Sequence, residues 1–148
     1  MSYAYDLTRD LPHHPDQVWR ALTDPGLLSR WFIQCDQDFA SLPIGGRFTL
    51  TDPNAKGWSG ILDGKLMERI APARLVYRTD EREGTSLTTL TWTLTPTGDG
   101  TRLAPHHDGW RGLRGVLTAQ LLRMGWRTLI AKDLNDLLAS TEHDTDTS

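Results

Sequence analysis

Pro15-Asp16-Gln17-Val18-Trp19-Arg20-Ala21-Leu22-Thr23-Asp24-Pro25, continued by Gly26-Leu27-Leu28-Ser29-Arg30-Trp31-Phe32 and later by Gly45-Gly46-Arg47-Phe48, decides the fold. Pro15 suits the first position of a helix, where its missing N–H costs nothing, and Asp16 places negative charge in the first turn. Val18, Trp19 and Leu22 make one apolar face. Asp24, held extended before Pro25, can cap a second short helix from Gly26 to Phe32. Leu27, Leu28 and Trp31 lie on one side of it. The Gly45-Gly46 pair marks a turn or bulge that opens a strand, Arg47 to Thr51. Two short capped helices and then a curved strand announce a sheet that wraps around something.

Working outward, Ala4 to Arg9 alternates weakly and reads as a first strand, broken by Pro12-His13-His14-Pro15. Asp52 to Gly57 is a hairpin loop, and Trp58 to Ile70 a longer strand with Gly60 and Gly64 as bend points. Ala71-Pro72-Ala73 turns the chain into a strand from Arg74 to Arg78. Ser86 to Thr95 is the clearest strand: Leu90, Trp92 and Leu94 share one face, and Thr89, Thr91, Thr93 and Thr95 the other. A last strand runs from Thr101 to Asp108. Successive hairpins of this kind form an antiparallel meander rather than a parallel sheet. Beyond Gly109 the period changes. Leu113, Val116, Leu117, Leu121, Met124 and Leu138 track one side of a helix from Leu113 to Ala139, about 40 Å long if wholly helical.

The chain has 148 residues, which is one domain by length, assigned here to residues 1–140 with a polar, frayed tail at 141–148. A net charge of −3 gives no electrostatic footprint for nucleic acid. Six tryptophans are many for this length and belong in a core or an apolar pocket wall. One cysteine, Cys35, excludes an internal disulfide. The N-terminus lacks a basic start and apolar run, and no stretch is long and apolar enough for a membrane span, so the expectation is a cytoplasmic protein.

In order along the chain stand Pro15-x-x-Val18-Trp19-x-Ala21-Leu22-Thr23-Asp24-Pro25, Trp31, Gly45-Gly46-x-Phe48 and Gly60. Then come Pro72-x-x-Leu75, Trp92, Gly100-Thr101-x-Leu103, His107-x-Gly109-Trp110 and Gly125-Trp126. This ordered set resembles the activator of Hsp90 ATPase homologue 1-like family, within the START/Bet v 1-like (SRPBCC) helix-grip superfamily. The resemblance implies an α+β helix-grip fold: a curved antiparallel sheet around a long C-terminal helix, with two short helices after the first strand. It also implies a cavity between sheet and helix that holds apolar small molecules in relatives. Members with co-chaperone activity carry an extra N-terminal domain, whereas this chain opens at the helix-grip domain. Ala104-Pro105-His106 departs from the family's alternating Thr and Leu. Because Pro105 cannot donate a ladder hydrogen bond, that strand is expected to be irregular or at an edge.

Candidate pocket-lining residues are Trp31, Phe48, Trp58, Tyr77, Trp92, His107, Trp110, Leu121 and Met124, although plain core packing accounts equally well for each aromatic. Trp92→Ala is expected to weaken ligand binding more than it lowers stability. His107 should face inward and His106 outward; a structural histidine bonded to its surroundings outweighs a catalytic base there. No set of side chains has metal-ligand spacing, and no cofactor fingerprint is present. Gly57-Trp58-Ser59-Gly60 lacks the spacing of a nucleophile elbow. Gly109 to Gly115 carries two arginines at a helix start, where an anion could bind, but a lid with solvated arginines is the plainer reading. Asp36 and Asp38 read as a solvated loop.

Three functions compete. The first is binding of an apolar small molecule between sheet and helix. The second is regulation of a protein partner of the chaperone type, through an apolar patch around Trp31-Phe32 or Trp110. The third, ranked behind both, is a cyclase or hydrolase. No catalytic residue, cofactor or metal is assigned, and a homodimer is admitted.

Overall fold

The computed structural model describes residues 2–6, 8–53, 60–79, 88–111 and 133–146; for 2–6, 109–111 and 141–146 it gives the course of the backbone. Strands β1 (Ser2–Asp6) and β2 (Arg9–Leu11) lead into helices α1 (Pro15–Thr23) and α2 (Pro25–Trp31). Strands β3 (Gln34–Cys35), β4 (Arg47–Thr51), β5 (Ile61–Ile70), β6 (Arg74–Thr79), β7 (Thr88–Pro96) and β8 (Thr101–Arg111) follow, and α3 (Asn135–Asp146) ends the chain. Among the described residues the sheet has eight strands in the order β1-β8-β7-β6-β5-β4-β3, with β2 also on β8. All pairs are antiparallel. This is the α+β helix-grip class, with α1, α2 and α3 on one face of a curved sheet.

The two short helices form as their sequence dictates. His14 caps α1: its Nδ1 accepts from Asp16 N at 3.2 Å while Gln17 Oε1 accepts from His14 N at 3.2 Å. Asp24 Oδ1 accepts from Gly26 N at 2.8 Å and Leu27 N at 3.3 Å, starting α2 as α1 ends. The corner is pinned by the Trp31 indole, whose Nε1–H donates to Ala21 O at 2.8 Å.

On the sheet, period two divides the faces. Phe48, Leu50, Leu66, Leu75, Tyr77, Leu90, Trp92, Leu94 and Leu103 are buried on the concave side with Leu134, Leu137 and Leu138 of the C-terminal segment. Arginines, threonines and acids alternate with them on the convex side. At Met67 the β5 register slips between Leu66↔Tyr77 and Glu68↔Val76. That bulge flips parity, so Arg69, opposite buried Leu75, turns inward. Its Nη1 donates to Phe39 O at 3.0 Å and also to Leu42 O. The loop between β3 and β4 is thereby tied over the sheet.

Pro105 sits inside the sheet. β8 pairs outward at Asp6↔His106 and again, in the same register, at Arg9↔Leu103. The strand is not at an edge, since β7 pairs it on the other side through Trp92↔Pro105. At the C-terminus the helix continues to Asp146 rather than ending at Ala139, so the stretch 141–146 expected as frayed tail is helical. Leu137 and Leu138 anchor its first turns in the core, and propagation beyond a fixed turn costs little. The expected helix start at Leu113 and the residues up to 132 lie outside the described residues.

Candidate functional site

The concave face carries a continuous aromatic cluster. Phe39 stacks on Tyr77 with ring centres 5.0 Å apart and planes 12° from parallel. Phe48 meets both edge-on, at 4.9 Å from Phe39 and 5.3 Å from Tyr77. On the α2 side, Trp31 and Phe32 approach Trp92 edge-on at 6.0 and 6.3 Å. The two halves are joined by Trp92 Nε1–H donating to the Tyr77 hydroxyl at 3.1 Å. Burial pushes the Tyr77 phenol well above its ordinary range, so it stays protonated.

Beside Tyr77 the face turns polar. His107 Nε2 lies 3.0 Å from Thr88 Oγ1, which lies 2.7 Å from Thr79 Oγ1. The Thr79 hydroxyl donates in turn to Thr88 O at 3.4 Å. The string closes if Nε2–H donates to Thr88 and Thr88 donates to Thr79, which assigns the Nε2–H tautomer to His107. The register explains the convergence, because Thr79↔Thr88 and Leu90↔His107 are cross-strand pairs. Burial first, and the neighbouring His106 second, push the His107 imidazole down to about 3. It is therefore a neutral hydrogen-bonding group at pH 7 and a poor proton acceptor for a general base.

This has a measurable consequence. In the unfolded chain the imidazole protonates near 6.5, and in the folded protein near 3. Between those values the unfolded state holds the extra proton, so stability is complete above the upper value. It is lost as pH falls, by about 1.4 kcal/mol per pH unit. Urea midpoints measured from pH 7 to pH 4 are expected to fall more steeply for the native protein than for His107→Gln. Parallel curves would show that His107 protonates freely in the folded state.

Four of the expected site residues, Phe48, Tyr77, Trp92 and His107, come together on this face, and Trp31 joins them from α2. Trp31 is only 3% exposed, so the apolar surface patch expected at Trp31-Phe32 is not formed; the indole packs inward instead. Trp58, Leu121 and Met124 lie outside the described residues, as do the side chain of Trp110 and most of the Gly109–Gly115 segment. His106 faces outward, 3.3 Å from Asp108. Asp36 and Asp38 do separate work: Asp36 Oδ1 accepts from Thr49 N at 2.8 Å and Asp38 Oδ1 from Ala40 N at 2.9 Å. His13 is buried, with Nε2 3.0 Å from Asn135 Oδ1, tying the chain before α1 to α3. Sequence reading missed Phe39, Thr79 and Thr88. Thr88 shares parity with Leu90 and Trp92, which was a usable signal; nothing local marks Phe39. Among the described residues no group of His, Cys, Asp or Glu side chains could hold a metal.

A curved antiparallel sheet closed by helices over an aromatic concave face defines a helix-grip protein of the START/Bet v 1-like kind. The chain belongs to the family described as activator of Hsp90 ATPase homolog 1-like protein, which matches residues 12–139. Among solved structures it is similar to protein MLL2253 from Mesorhizobium loti, with a TM-score of 0.79 and 27% identity over 94% of this chain and 98% of that one. Protein NE0264 from Nitrosomonas europaea gives 0.74 and 26%, over 93% and 95% of the two chains. CalU16 from Micromonospora echinospora shares the fold at 0.72 and 23% identity, over 97% and 80%. No curated protein matches the chain.

Proposed function

We propose that this protein binds an apolar, uncharged small molecule between the concave sheet face and the C-terminal helix. The supporting observation is the neutral string Thr79–Thr88–His107 set into an otherwise aromatic and aliphatic face. Apolar walls with a few oriented polar groups are the usual makings of a ligand site. Trp31 and Trp92 pack on each other, and Phe48 on Phe39 and Tyr77, so fully that they serve as its base. The contact end is proposed at Leu90, Thr88 and His107, with Trp110, Leu121 and Met124 completing the wall. A protonated imidazole would suit an anionic ligand; the neutral one at His107, its N–H given to Thr88, suits an uncharged one. The same neutrality weighs against a cyclase or hydrolase reading.

Nile red, a neutral dye that fluoresces in apolar surroundings, tests the site. One dye per chain should bind saturably, and Leu90→Phe, which fills the contact end, should weaken it about tenfold, or about 1.4 kcal/mol. Absence of saturable binding, or equal binding by a folded Leu90→Phe protein, would count against the pocket.

A second reading, regulation of a chaperone-type partner, draws on one observation: Ile44, Met67 and Ile70 are large apolar residues left exposed. Stimulation of a chaperone ATPase by the native protein, lost on Met67→Lys, would support it.

A further inference from the structure

Tyr77 sits where the two parts of the concave face meet. On β6 it pairs with Leu66 of β5 and Leu90 of β7, and Leu90 pairs with His107 of β8, so Tyr77, Leu90 and His107 form one row across the sheet. Its ring is held by stacking on Phe39 and by the edge of Phe48. Its hydroxyl reaches the next row, where it accepts the Trp92 indole N–H at 3.1 Å. Diagonal neighbours of this kind lie within reach of aromatic side chains.

That bond uses a lone pair of the phenol oxygen and leaves the phenol's own proton to be placed. The polar groups around it are committed elsewhere. The Trp31 indole N–H goes to Ala21 O, His107 Nε2–H to the Thr88 hydroxyl, the Thr88 hydroxyl to Thr79, and the Thr79 hydroxyl to Thr88 O. Cys35, the titratable neighbour that acts on the phenol, takes a backbone N–H from Gln37. Among the described residues the Tyr77 proton meets no acceptor. The side chain is buried, and burial keeps the phenol in its protonated form. A buried O–H left unmatched costs about 1–3 kcal/mol, and native structures keep few of them without a reason.

We propose that the Tyr77 hydroxyl donates its proton to an acceptor oxygen on the ligand, so that the molecule bound is apolar and uncharged but carries a carbonyl or ether oxygen at its inner end. This rests on the ligand-binding reading above and narrows it. The Trp92 N–H fixes the phenol oxygen and strengthens it as a donor, because hydrogen bonds in a chain polarise one another. A hydrocarbon of the same shape fills the same walls and leaves the O–H unmatched.

The test is a calorimetric titration of the full chain with 2-acetylnaphthalene and 2-ethylnaphthalene, which differ by the carbonyl oxygen. Transfer from water favours the hydrocarbon, so a preference for the ketone comes from a contact with its oxygen. The native protein should bind the ketone at least as tightly as the hydrocarbon. Tyr77→Phe should cut the ketone-to-hydrocarbon affinity ratio about tenfold, chiefly by weakening the ketone. Trp92→Phe removes the indole donor but keeps the phenol proton; it should weaken both probes alike and preserve the native ratio. In the native complex the carbonyl stretch of the bound ketone should fall below its frequency in hexane, and Tyr77→Phe should restore it. A purely structural role for the Tyr77–Trp92 bond would instead move both probes equally in both variants. Binding of both probes with one ratio in the native protein and Tyr77→Phe, or an unshifted carbonyl stretch in the native complex, would overturn the proposal and leave the pocket standing. Saturable binding of neither probe would overturn both.

Discussion

Trp92→Ala is expected to lower the unfolding free energy by about 3–5 kcal/mol, the range for emptying a large aromatic site in a packed core. Trp92 is 1% exposed and is met edge-on by Trp31 and Phe32. Truncation removes those contacts together with the bond from Nε1 to the Tyr77 hydroxyl. Trp92→Phe separates the two losses. It keeps most of the ring contact but leaves the buried Tyr77 oxygen without its donor, for about 1–3 kcal/mol. Urea denaturation of the three proteins measures both. A loss below about 1 kcal/mol for Trp92→Ala would mean that the cluster does not hold the sheet. This packing also revises the sequence-based expectation that Trp92→Ala would weaken binding more than stability: Trp92 supports the fold, and binding is better probed at Leu90 or Thr88.

The second large effect is expected at Gly64. A Cβ built there would overlap the ring edge of Phe48 and come within 2.7 Å of the carbonyl oxygen of Arg78. Gly64 is opposite Phe48 on β4 and Thr79 on β6, so the missing side chain is the space that the ring occupies. Gly64→Ala should cost about 1–3 kcal/mol through overpacking, and Gly64→Val more. A double-mutant cycle identifies the cause. Phe48→Leu alone should destabilise, yet in the Gly64→Ala background it should cost at least about 1 kcal/mol less, because the clash and the ring vanish together. Strict additivity would place the strain at the Arg78 carbonyl instead.

How much of this was legible in the sequence depends on how local the cause is. The two helices follow from Pro15, Asp24 and Pro25, whose effects act within a turn: α1 begins at Pro15 as expected, and α2 runs Pro25–Trp31 against the expected Gly26 to Phe32. Strand β4 runs from Arg47 to Thr51 as expected, and the inward faces of β7 and β8 follow from alternation. The bulge at Met67 was not legible, because the side-chain pattern of β5 is compatible with either parity until β6 fixes the register. With the bulge unseen, the inward turn of Arg69 and its hold on the loop carrying Phe39 stayed hidden. Phe39 sits in a stretch without periodicity, and its place is set by partners on β4, β5 and β6. The candidate site divides in the same way. His107 was found, but Thr79 and Thr88 become its partners only through strand register.

The polar string also clarifies what kind of site this is. A histidine poised for proton transfer would be tuned towards neutral pH. Here burial pushes it the other way, and its nitrogen is committed to a threonine hydroxyl. Such a group is a hydrogen-bonding partner and a poor proton acceptor.

The central claim is tested most directly by native mass spectrometry of gently purified protein, compared with the mass after denaturation. A discrete adduct, one per chain and lost on denaturation, is the expected result, and its mass begins to name the ligand. An apo mass only, from protein that also fails to take up a neutral apolar compound added before the measurement, would contradict the ligand-binding account and leave the partner-regulator reading in its place.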